Sequence, residues 1–111
     1  DLPNHGASDW TDTMNYEQMS NIISEFLVKH DLKGATILGH SMGGKVAMRF
    51  ALENPQYLSK LIVVDISLRA YEARPHHKNI IRAMKQVDFS QVSNRKQVEE
   101  ILKESKLSLI L

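Results

Sequence analysis

The pentapeptide Gly39-His40-Ser41-Met42-Gly43 joins two stretches of different periodicity. Before it, Ala35-Thr36-Ile37-Leu38 reads as a short buried strand. After it, Val46, Ala47, Phe50 and Ala51 recur at helical spacing. A strand that turns straight into a helix at G-x-S-x-G holds its serine in a strained left-handed conformation, with the hydroxyl lifted clear of the sheet. Gly39 and Gly43 are expected where a Cβ would collide with the crossing strand and helix. The amide of Met42 and the helix start should point donors at the place where an oxyanion would form. Three such positions recur by chance roughly once in 3,000 windows when Gly and Ser are each near ~7% of residues. Over this chain that leaves chance at a few per cent, before the flanks are considered. The competing reading is a Gly-rich turn in which Ser41 is an ordinary helix cap.

Composition narrows the partners. The 111 residues carry a net charge of +1, too balanced for a nucleic-acid binder. No apolar run approaches the ~20 residues of a membrane-spanning helix. Cysteine is absent, so disulfides and thiolate metal sites are excluded. No targeting signal is visible. A chain beginning at Asp1 and ending in Leu107-Ser108-Leu109-Ile110-Leu111 is expected to be a piece of a larger protein.

Residues 1–12, DLPNHGASDWTD, read as loop, with His5 expected to brace it through hydrogen bonds. Thr13 or Asn15 should cap a helix with Glu17 in its first turn. Tyr16, Met19, Ile23, Phe26, Leu27 and His30 form its apolar stripe, with Met19 and Phe26 in the core, and Lys33-Gly34 ends it. The helix after Ser41 should run to about Asn54, before Pro55. Residues 60–65, KLIVVD, are the clearest strand, and their unbroken apolar run predicts a central parallel strand covered on both faces. Helix, strand, helix, strand is the repeat of an α/β sheet, whose ligands bind beyond the carboxyl ends of the strands. Ser41 and Asp65 both belong to that edge.

Beyond Ser67 the pattern is helical without strands, and the division is a core over 1–68 and the beginning of a helical cap over 69–111. Ile80, Ile81, Met84 and Val87 mark one helix face. Ser93 or Asn94 caps the next helix, with Val98, Ile101, Leu102 and Ser105 inward. Arg69, Arg74, Lys78, Arg82 and Lys85 face one acid, Glu72. That run reads as a solvated helix face; the sharper alternative is a contact with an anionic substrate handle such as the phosphates of coenzyme A.

A serine hydroxyl needs a base to become a nucleophile. Asp65, at the end of the strand after Ser41, could orient an imidazole or simply hydrogen-bond the following loop; residue type leaves both open. His40 adjoins Ser41 but should point away from its hydroxyl. His76 and His77 follow Asp65 too closely for a base delivered after the last strand. The base is therefore expected outside these 111 residues, which alone should be nearly inactive. A carboxylate nucleophile, as epoxide hydrolases and dehalogenases require, is ruled out by Ser41 itself.

The segments DLPNHGAS (1–8), GHSMGGKVAM (39–48) and LIVVDIS (61–67) resemble the α/β-hydrolase superfamily, and within it the mitochondrial abhydrolase branch with the fungal ethanol acetyltransferases and bacterial esterases. The resemblance implies an α/β-hydrolase fold with a serine nucleophile, Ser41, Met42 as an oxyanion donor through its amide, and Asp65 as the triad acid. It implies acyl transfer from small-molecule esters or thioesters through an acyl-serine, with no cofactor, acyl-CoA as a conceivable substrate, and a mitochondrial location. The opposing reading is a piece with no catalysis and at most a binding role.

Overall fold

The computed structural model describes residues 1–72 and 74–104. Helix α1, Tyr16–Lys29, starts where Asn15 leaves extended backbone and its Oδ1 accepts from the amide of Gln18 at 2.8 Å. Thr13, the other expected cap, instead bonds the Gln18 side chain at 3.0 Å. The helix ends earlier than Lys33-Gly34. Asp31 adopts φ 49°, the amide of Leu32 donates to Leu27 at 2.9 Å and that of Asp31 to Val28 at 3.1 Å. This is a Schellman closure built on aspartate rather than glycine.

Strand β1, Ala35–His40, passes through Ser41 into α2, Met42–Glu53, and Asn54 caps it before a 3₁₀ turn at Pro55–Tyr57. Strand β2, Leu58–Val64, returns parallel to β1, from Thr36 opposite Lys60 to His40 opposite Val64. Helix α2 is the hub, packing on both strands and on α1. Met19 and Leu27 of α1 are buried with Val46, Ala47 and Phe50 of α2; each such large side chain contributes about 1.5–3 kcal/mol. Ser20, fully buried, donates to Glu53 at 2.8 Å, and Glu53 also meets Arg49 at 2.7 Å.

Phe26 is 54% exposed, its ring 4.4 Å from that of His30. The buried arc of α1 centres on Ser20, Ile23 and Leu27, so Phe26 lies about a quarter turn away from it. Among the described residues strand β2 is covered on the α2 face alone. Gly39 is buried and Ile37 and Val63 half-buried on the α2 side, whereas Leu38, Ile62 and Val64 on the other side are exposed among the described residues.

The chain divides into two units, Asp1–Arg69 and Ala70–Leu111. The second holds α3, Pro75–Lys85, and α4, Arg95–Glu104. Pro75 takes the first helical position, where its missing amide costs nothing. Ala83 and Val87 are buried and Ile80 half-buried, but Ile81 and Met84 are exposed. The packed face is thus i, i+3, i+7 from Ile80, with small Ala83 at its centre. Asn94 accepts from the amide of Gln97 at 3.1 Å, while Gln97 accepts from the amide of Ser93 at 2.8 Å. Val98, Ile101 and Leu102 are half-buried; Ser105 and 107–111 lie outside the described residues. No described helix is long and apolar enough to cross a membrane.

Candidate active site

At the β1–α2 junction Ser41 has φ 51° and ψ −117°. Non-glycine residues rarely adopt this conformation, which costs on the order of 1–3 kcal/mol and persists only where the surroundings impose it. Two constraints impose it here. The amide of Ser41 is tied to Val64 of β2 at 3.0 Å, and its carbonyl accepts the first α2 bonds, from Gly44 at 3.0 Å and Lys45 at 3.2 Å. Its side chain makes no capping bond, which removes the ordinary-cap reading. Met42 and Gly43, as the first two residues of α2, have no intrahelical acceptor for their amides. The positive helix end therefore stands beside the serine, where negative charge on an oxygen is favoured.

Close packing makes the junction depend on glycine. A Cβ at Gly39 would lie 2.4 Å from the carbonyl oxygen of Gly43, inside any tolerable contact. At Gly43, contrary to expectation, a Cβ would meet nothing within 4 Å among the described residues. The second intolerant position is Gly44, where a Cβ would lie 2.5 Å from Ile66 Cγ2 and 3.0 Å from the Gly39 oxygen. The helix turns Gly43 away from the sheet and Gly44 onto it. The adjacent glycine pair signalled a close approach without saying which residue made it.

Asp65 follows the pair His40–Val64, so parallel register sets it at the same sheet edge as Ser41. It too has positive φ, 58°, a feature that residue type did not announce. His40 Nε2 lies 3.7 Å from Asp65 Oδ2, with both side chains largely exposed. The expectation for His40, a ring turned away from the serine, does not include this pairing; strand register, with His40 opposite Val64, is the signal that predicts it. His5 braces its loop as expected, its ring Nδ1 2.9 Å from the carbonyl of Pro3. The same loop is tied by Ala7 and Ser8 to Asp1 and by Thr11 to Asn4. His76 and His77 belong to the second unit, on the first turn of α3. Among the described residues no three His, Asp or Glu side chains gather as a metal site would require.

The comparisons with known proteins agree with this geometry. A family model described as the alpha/beta hydrolase fold matches residues 1–98. A probable alcohol acetyltransferase of Saccharomyces cerevisiae is 48% identical over 75 residues, 62% of this chain and 22% of that protein. A putative esterase/lipase of Haemophilus influenzae is 36% identical over 104 residues, 94% of this chain and 36% of its own length. The solved structure of a marine microorganism esterase superposes with TM-score 0.80 at 41% identity, covering 95% of this chain and 42% of that one. The chain thus spans well under half the length of these relatives. With a strand–serine–helix junction, a parallel βαβ unit and these matches together, the chain belongs to the α/β-hydrolase fold family.

Proposed function

We propose that the whole protein is a serine-nucleophile acyl enzyme acting on carboxylic esters or acyl thioesters. The observation that carries this reading is Ser41 itself, held at φ 51° on a helix N-terminus without a capping bond. A serine serving only to start a helix would have no reason to keep that strain. Ser41 Oγ attacks the acyl carbonyl as a base takes its proton, and the Met42 amide donates to the oxyanion. Collapse of the tetrahedral intermediate leaves an acyl-serine and releases the alcohol or thiol, protonated by the same base. Asp65 is the acid that orients this base and stabilises its charged form. The base and a second oxyanion donor come from beyond these 111 residues, which alone are nearly inactive, and the 69–111 region begins a helical cap.

Esterase, lipase and acetyltransferase are names borne by the relatives, and they divide on what accepts the acyl group. Water gives hydrolysis; an alcohol gives a new ester, favoured where the closed site excludes water.

A fluorophosphonate probe, which phosphonylates activated serines, tests the reading. The whole protein should label, and Ser41→Ala should abolish labelling. No labelling of the whole protein would favour the non-catalytic alternative. Supplying acyl-CoA with and without ethanol then separates transferase from hydrolase by whether an ethyl ester forms.

A further inference from the structure

Gly44 and Lys45 directly follow the pentapeptide, and the acyl-serine chemistry makes no use of either. Both nevertheless touch the segment that carries Asp65. At Gly44 the missing Cβ leaves room for Ile66 Cγ2 and Val63 Cγ1, which a methyl would meet at 2.5 and 3.2 Å. These residues bracket Asp65 along the chain. Lys45, half-buried, donates through Nζ to the main-chain carbonyl of Arg69, 24 residues further on. A lysine ammonium ordinarily keeps its donors in water. Here one donor holds a carbonyl in the irregular stretch that follows β2.

That stretch needs holding. Asp65 sits at φ 58°, a left-handed conformation that aspartate adopts more readily than most residues but that is still uncommon, so contacts around it decide whether it is kept. We propose that Gly44 and Lys45 are positioning residues for Asp65. The first turn of α2 starts from Ser41 and, at Gly44 and Lys45, meets residues 63–69 at Val63, Ile66 and Arg69. Nucleophile and acid are thereby set by one piece of backbone. The inference rests on the reading of Asp65 as the triad acid.

The test uses the whole protein and a soluble ester, with kcat and KM measured separately. Lys45→Met keeps the aliphatic stem and removes the donor. It should lower kcat about tenfold with KM unchanged, because a displaced acid costs the transition state and leaves substrate binding alone. Lys45→Arg restores a donor and should recover most of the loss; Gly44→Ala should lower kcat at least as far as Lys45→Met. A wild-type kcat in Lys45→Met, with Ser41→Ala and Asp65→Asn both inactive, overturns the inference while leaving the triad standing. A loss that Lys45→Arg does not restore, or that appears in KM, overturns it as well. Wild-type kcat in Asp65→Asn would instead remove the acid reading, and this inference with it.

Discussion

The two units of this chain obey local rules to different degrees. In Asp1–Arg69, four non-glycine residues adopt positive φ, namely Asn4, Asp31, Ser41 and Asp65. In the second unit none of the described residues does. There the helices start as preference dictates, on Pro75 and on the reciprocal Asn94–Gln97 and Gln97–Ser93 bonds. Asn4 and Asp31 have evident local explanations, since Asn4 is tied to Thr11 and Asp31 closes a helix. Ser41 is held instead by β2 and α2 together, through Val64, Gly44 and Lys45, and Asp65 lies beside it at the same sheet edge. Such backbone conformations cluster at functional sites.

Ser41→Ala in the whole protein should lower ester turnover on the order of 10⁴-fold or more while the thermal midpoint hardly moves; loss of both together would place Ser41 among structural residues. Gly39→Ala should destabilise the fold by roughly 2–3 kcal/mol, read from denaturant unfolding, because its methyl would press on the Gly43 carbonyl. Gly43→Ala, with open space at that Cβ, should leave stability unchanged or raise it by up to about 1 kcal/mol, because alanine is the better helix former. A sharper test is Ser41→Gly. Glycine adopts positive φ freely, so this inactive variant should be more stable by about 1 kcal/mol. In the second unit Asn94→Ala should cost about 1 kcal/mol as an ordinary lost cap, with little effect on kcat.

The smallest effect concerns acid. The hydroxyl and amide of Ser90 donate to Asp88 at 2.7 and 2.9 Å and hold its carboxyl below the usual carboxylate range. A depressed folded-state pKa gives stability that is present above the unfolded pKa and lost as pH falls through the folded one. Ser90→Ala should move the Asp88 titration upward, visible by NMR, and change stability very little because the site is exposed.

Much of the first unit was legible because its signals are steric or periodic. Gly39 and Ser41 announced the turn, and residues 60–65 announced the second strand, which runs from Leu58 to Val64. What was not legible depended on a distant partner. The intolerance of Gly44 rather than Gly43 comes from Ile66. The end of α1 comes from an aspartate in a conformation usually left to glycine. Phe26 and Ile81 look like core residues by spacing, yet the packed arcs fell beside them. At the site, residue type pointed to Ser41 as the candidate, while the positive φ of Asp65 and its approach to His40 required strand register in three dimensions.

The most direct measurement is to quench a turnover of the whole protein with an activated ester and map the modified peptide by mass spectrometry. The account predicts one acyl group, on Ser41, and none after Ser41→Ala. An acyl group on another residue, or turnover that persists without Ser41, would contradict it.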